Sequence, residues 1–271
     1  MRIPDRWQDG APYERYVGRW SRLVADRFVD ELGAARGIRW LDVGCGTGAL
    51  TEAIVERCDP ASVTGVDPSP GFLAGARARP RLAGLTTVRF EEGDAMRLPA
   101  ADGSADVVVS GLVLNFVPDP AAALAEFGRV AAPGALVAAY VWDYAGGMQF
   151  MRLFWDAAVA VDPESAALDE GRRFPLCRPE PLRELWTTAL GGDAASVRVW
   201  PIEIDTVFVD FDDLWTPFLG GQGAAPAYLA AVTDDTREAI RERVRASVAV
   251  GADGSMALTA RAWAVAGRTP A

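Results

Sequence analysis

The chain has 271 residues, half of them apolar, with 27 basic against 37 acidic side chains and a net charge of −10. Such a chain can bury a core of its own, and a body this acidic repels a phosphate backbone, which argues against nucleic acid as a partner. No apolar run approaches the ~20 residues that span a bilayer, and the N-terminus opens polar, so a cytoplasmic protein without membrane contact is expected. Arginine carries every basic side chain, there being neither lysine nor histidine, which removes a histidine base, a histidine metal ligand and a lysine Schiff base. Cys45, Cys58 and Cys177 are odd in number and lack metal-type spacing, so reduced thiols and no metal site are expected.

Residues 11–33 carry Tyr13, Tyr16, Val17, Trp20, Leu23, Val24 and Phe28 at three- and four-residue steps, as one amphipathic helix lying across the ligand edge of a sheet would. Residues 40–43 read as a strand that breaks into Gly44-Cys45-Gly46-Thr47-Gly48, followed by a helix from about residue 50. Alternate glycines let the chain turn sharply and let a ligand lie against main-chain N–H groups. A second strand over 62–67 ends in Asp67, Pro68 opens a helix to about residue 78, and a third strand covers 87–90. Residues 106–110 form a buried fourth strand, 120–130 a helix and 134–142 a fifth strand. Strands alternating with helices predict a parallel sheet covered on both faces, with ligands beyond the strands' C-terminal ends. From Asp143 the pattern changes to helices over 148–161 and 181–190, an alternating strand over 196–210, a helical stretch over 212–249 and a last strand over 256–266.

With Asp42-x-Gly44-x-Gly46-x-Gly48 at the first strand, Asp67 ending the second and Gly93-Asp94-Ala95 after the third, the chain resembles class I S-adenosylmethionine-dependent methyltransferases, close to the small-molecule branch called methyltransferase type 11. The resemblance is strong over about residues 35–145. It implies an α/β fold, a Rossmann-like seven-stranded mixed sheet with helices on both faces and an antiparallel last strand. It also implies one domain over 1–271, with an N-terminal cover helix (11–33), a cofactor-binding core (34–145) and helical lid insertions (146–180 and 211–250). In the family pattern Gly44, Cys45 and Gly46 contact S-adenosylmethionine through the backbone, and Asp42 orients the loop or the ammonium group. Asp67 accepts the ribose hydroxyls, Asp94 takes the adenine amino proton, and Ala95 and Met96 pack on the ring. Pro68, Gly111 and Leu112 complete the contact, and Tyr16 and Arg19 cover the cofactor, Arg19 by pairing with its carboxylate. A nicotinamide-binding domain is the competitor, but its G-x-G-x-x-G fingerprint is absent, residue 49 being Ala49.

A sulfonium methyl is already a good electrophile, so the protein has chiefly to position a nucleophile and exclude water. After the fourth strand stand Gly111-Leu112-Val113-Leu114-Asn115-Phe116, without the Pro-Pro-aromatic or Pro-Cys features of nucleic-acid methyltransferases. The aromatics Phe116, Trp142, Tyr144, Phe150, Phe154, Trp155, Phe174, Trp215 and Phe218 suit a small hydrophobic or aromatic metabolite. Asn115, Asp143 and Tyr144 are the expected groups to orient the nucleophile, with a carboxylate as base where one is needed. The alternative is a protein that binds S-adenosylmethionine or S-adenosylhomocysteine in this fold without methylating anything. Sequence leaves the methylated atom and the oligomeric state open.

Overall fold

The computed structural model describes residues 17–190, 196–220 and 223–271. Seven strands form one sheet in the order β3-β2-β1-β4-β5-β7-β6: β1 (Arg39–Val43), β2 (Ser62–Asp67), β3 (Val88–Glu92), β4 (Ala105–Gly111), β5 (Ala131–Trp142), β6 (Arg198–Phe208) and β7 (Met256–Arg268). β1 to β5 pair in parallel, and β7 runs antiparallel between β5 and β6. This is the seven-stranded mixed sheet the resemblance implies. Val107, Val108 and Val109 of β4 lie at most 2% exposed, as a central strand with helices on both faces requires.

The helices are α1 (Arg19–Leu32), α2 (Ala49–Cys58), α3 (Pro70–Arg77), α4 (Pro120–Val130), α5 (Gln149–Val161), α6 (Glu170–Arg173), α7 (Pro179–Leu190), α8 (Phe211–Trp215), α9 (Ala224–Ala231) and α10 (Asp234–Ser247). Their starts follow cap chemistry. Ser69 accepts the Phe72 N–H at 3.3 Å and Asp119 the Ala122 N–H at 3.0 Å, each followed by a proline suited to the first helical turn. Pro68 therefore stands outside α3, two residues before its start, because Ser69 supplies the cap. The N-terminal helix is seen from Arg19, after a turn at Val17, and ends at Gly33 in the left-handed region; the expected start near residue 11 lies outside the described residues.

The two helical insertions share an aromatic core. Phe154 stacks on Phe218 with ring centres 4.7 Å apart, and Trp155 lies 5.9 Å from Tyr228. Phe150, Phe154, Trp155, Trp215 and Phe218 are all at most 4% exposed, so these rings hold α5 to the 211–231 segment rather than lining a ligand site. Among the described residues no helix is long and apolar enough to cross a membrane.

Candidate cofactor and substrate cavity

A cavity of about 240 Å³ opens beyond the C-terminal ends of β1, β2, β4 and β5. On the β1 and β2 side it is lined by Asp42, Gly44, Cys45, Gly46, Asp67 and Pro68, together with Ser69 and Phe72 from the start of α3. On the β4 and β5 side stand Gly111, Leu112, Phe116, Trp142 and Tyr144. Met148, Met151 and Glu170 close it from the first insertion, and Val17 and Ser21 from the N-terminal segment.

The glycine loop is shaped by close approaches. Gly44 has φ +72°, and a Cβ there would stand 2.5 Å from Val113 Cγ2; Gly48, at φ +85°, starts α2 against Ala76 and Leu82. Three of the loop's N–H groups are taken up within the chain. Gly44 and Cys45 donate to Val66 O at 2.7 and 3.1 Å, and Gly46 donates to Asp67 Oδ2 at 3.0 Å. The end of β2 thus consumes the donors that would otherwise cradle an anion.

The loop presents carboxylates instead. Asp42 is fully buried; its Oδ2 accepts from Thr51 Oγ1 at 2.7 Å, while Oδ1 has no partner. Burial, with the Asp67 charge nearby, pushes its carboxyl up to about 7 despite the Thr51 hydrogen bonds. Burial also raises the Asp67 carboxyl, against the N–H groups of Ser69 and Gly46 that hold the charged form. Ser69 N–H reaches Asp67 Oδ1 at 2.8 Å, so each Asp67 oxygen already takes one backbone donor. Among the described residues the lining holds three acids, Asp42, Asp67 and Glu170, and no basic side chain.

Several expected site residues stand elsewhere. Arg19 does not face the cavity. It pairs with Asp213 of α8 at 2.8 Å and lies over the rings of Trp20 and Phe208. Val17 and Ser21, four residues apart, share the cavity face, and Arg19 between them projects the other way; counting that phase would have shown it. Asp143 is also off the lining, because Arg261 Nε and Nη2 both bind its Oδ2 at 2.8 Å and Gly146 N–H binds Oδ1 at 3.1 Å. It anchors β5 to β7 rather than standing ready as a base. Asn115 sits in the short 3₁₀ turn Leu114–Phe116 with Nδ2 buried and unpartnered, outside the lining.

Asp94 is exposed and caps its own turn, accepting Met96 N–H at 2.8 Å, and Ala95 and Met96 do not line the cavity either. This turn adjoins Asp67 all the same, since Gly93 N–H reaches Asp67 O at 3.3 Å. Tyr16 lies outside the described residues. Ser69, Phe72, Met148, Met151 and Glu170 were missed; the first two lie within one turn of Asp67, whereas the others reach the cavity only through tertiary packing of α5 and α6.

Residues 41–139 match the methyltransferase domain family. That stretch carries the sequence pattern of a methyltransferase domain. Over 112 residues it is 39% identical to demethylmenaquinone methyltransferase of Staphylococcus aureus strain JH9, a stretch covering 41% of this chain and 46% of that protein. The chain thus aligns with about half the length of the curated relatives it matches. In fold it is similar to phosphoethanolamine N-methyltransferase 2 of Haemonchus contortus, solved with phosphomonomethylethanolamine and S-adenosylhomocysteine: TM-score 0.59, 15% identity, 97% of this chain and 59% of that one. It is likewise similar to the [4+2]-cyclase SpnF: TM-score 0.52, 21% identity, 99% of this chain and 85% of that one.

The cofactor of such a methyltransferase domain is S-adenosylmethionine, and the lining fits it. The unpartnered, buried Asp42 Oδ1 suits an ammonium, the acid pair suits a ligand of positive charge, and Asp67 keeps lone pairs for hydroxyl donors. The start of α2 has no side-chain cap, and its Ala49 and Leu50 reach the cavity, which leaves backbone N–H groups for a carboxylate end.

Proposed function

We propose that the protein transfers a methyl group from S-adenosylmethionine to a small hydrophobic or aromatic metabolite in the cytoplasm. The observation that carries this reading is a lining with three acids and no basic side chain among its described residues, around a glycine loop in which Gly44, Cys45 and Gly46 spend their N–H groups on the end of β2. A pyrophosphate would meet carboxylates there with no basic partner among the described residues, whereas a sulfonium and an ammonium find their counter-charges. When bound, the cofactor supplies an electrophilic methyl; the chain's part is to hold it through Asp42, Asp67 and Pro68, with Gly44 to Gly46 and Gly111 to Leu112 closing against it, and to keep water out. Phe116, Trp142, Tyr144, Met148 and Met151 then form a wall for a flat apolar acceptor. The name of the S. aureus relative, demethylmenaquinone methyltransferase, favours a quinone-like ring among such acceptors.

Isothermal titration with S-adenosylhomocysteine and with NAD tests the cofactor assignment. Saturable binding of the first is expected, and binding of NAD alone would refute it. The kinship in fold with a [4+2]-cyclase motivates a second reading, a cofactor-binding protein that does not methylate. Formation of S-adenosylhomocysteine only when a candidate acceptor is added separates the two.

A further inference from the structure

We propose that Arg79, which binds the glycine loop from outside the cavity lining, is a positioning residue: it holds the first turn of α2 so that the N–H groups of Ala49 and Leu50 meet the carboxylate end of the bound ligand. The inference rests on the cofactor reading of the proposed function for what that ligand is.

Arg79 stands just beyond the end of α3 and reaches the loop from there. Its Nε donates to Thr47 O and its Nη2 to Thr47 Oγ1 at 3.4 Å. Its Nη1 pairs with Glu52 Oε2 at 2.6 Å, the two side chains being only 13% and 15% exposed. Glu52 belongs to the first turn of α2, and its N–H donates to Gly48 O at 2.9 Å. One planar guanidinium therefore spans the join between loop and helix, fixing the Thr47 carbonyl relative to the Glu52 carboxylate. The support beneath is tight as well. A Cβ at Gly48 would stand 3.2 Å from Ala76 Cβ and from Leu82 Cδ1, and Leu82 N–H donates to Arg79 O at 3.0 Å.

What this join offers the cavity follows from the donors already spent. Gly44, Cys45 and Gly46 bond to the end of β2, Gly48 N–H donates to Cys45 O at 2.8 Å, and the backbone of Thr51 bonds to Asp42. Ala49 and Leu50 remain, at a helix start without a side-chain cap, and both line the cavity. Asp42, bonded to Thr51 of the same turn, is fully buried with Oδ1 unpartnered. A ligand end with an ammonium and a carboxylate on one carbon matches both features. A helix start holds a carboxylate only while its N–H groups point at it, the attraction being confined to the first turn. Loss of the Arg79 clamp therefore acts on that end of the ligand, and not on a ribose held by Asp67, which is moored separately by Gly46 and Ser69.

Two probes tell the ends apart by isothermal titration at pH 8: S-adenosylhomocysteine, which carries the amino-acid end, and 5′-methylthioadenosine, which lacks it. The wild type is expected to bind the first at least about tenfold more tightly, as hydrogen bonds to charged groups require. Arg79→Lys keeps a charge beside Glu52 but cannot make three contacts from one plane. It is expected to weaken S-adenosylhomocysteine about fivefold or more while 5′-methylthioadenosine stays within about twofold, a split that general loosening of the fold would not produce. Arg79→Met combined with Glu52→Gln removes the pair without stranding a buried charge and should cost S-adenosylhomocysteine about tenfold, whereas Glu52→Gln alone, which leaves Arg79 its contacts with Thr47, should cost less than about threefold. The Arg79→Lys comparison decides by itself where the double variant does not fold. Equal affinity of the wild type for both probes, parallel loss of both in Arg79→Lys, unchanged S-adenosylhomocysteine binding in the Arg79 variants, or a loss in Glu52→Gln as large as in the double variant overturns the proposal. Failure of the wild type to bind either probe strikes the cofactor reading instead.

Discussion

Asp42 is a buried acid with one satisfied and one unpartnered oxygen, and its titration near pH 7 gives two linked expectations of opposite sign. In the ligand-free protein the folded state holds a proton that the unfolded chain has already released between about pH 4 and 7. Stability from this group is therefore full at acid pH and lost as pH rises through about 7. A cationic ligand reverses the preference, because it stabilises the ionised form. Affinity for S-adenosylmethionine should accordingly increase from pH 5.5 to 8, with proton release seen as a buffer-dependent binding enthalpy, and Asp42→Asn should flatten both dependences. Asp67 carries a double duty, since its oxygens also moor Gly46 and Ser69. Asp67→Ala should weaken S-adenosylhomocysteine by ~1.5–3 kcal/mol, the size of hydrogen bonds to a charged acceptor, and lower the melting temperature of the ligand-free protein as well; an unchanged melting temperature would separate the loop from its mooring. At Gly44 the left-handed backbone and Val113 both oppose a side chain, so Gly44→Ala should abolish measurable cofactor binding in a protein that still shows its far-UV spectrum. Leu112, beyond β4, is the non-glycine counterpart, held at φ +61° on the cavity wall, where a strained backbone commonly marks a functional position.

At the scale of elements, α1 and the second insertion act on the cavity by different routes. Val17 and Ser21 line it, whereas the described residues of 211–247 do not; α8 reaches α1 through the Asp213–Arg19 pair. We expect S-adenosylhomocysteine to slow amide exchange in residues 17–24, and Asp213→Asn to lessen that protection without moving exchange in β4. Equal exchange with and without ligand would make α1 a fixed cap. The strands were legible in the sequence because β1, β2, β4 and β5 are apolar runs cut off by polar or glycine residues at the ligand edge, and Asp42, Gly44 and Asp67 are fixed by that same break. Glu170, Met148 and Met151 were not legible, because their direction depends on how α5 packs on the 211–231 segment. Asp143 misled for a complementary reason: a polar residue at a strand end reads as site-facing until Arg261, 118 residues later in β7, turns it inward.

For the whole molecule, the sheet gathers at one end what the charge balance spreads over the surface. β1 and β2 supply one wall of the cavity and β4 and β5 the other, while the antiparallel β7 runs beside β5. A lining with three acids and no basic side chain among its described residues has a kinetic consequence for the proposed reaction. Methyl transfer turns a sulfonium into a neutral thioether, so the carboxylates that favoured the incoming cofactor lose a counter-charge at the moment of product formation. On the proposed function, weak product inhibition follows: the inhibition constant of S-adenosylhomocysteine should exceed the dissociation constant of S-adenosylmethionine at pH 8, where the lining acids are ionised.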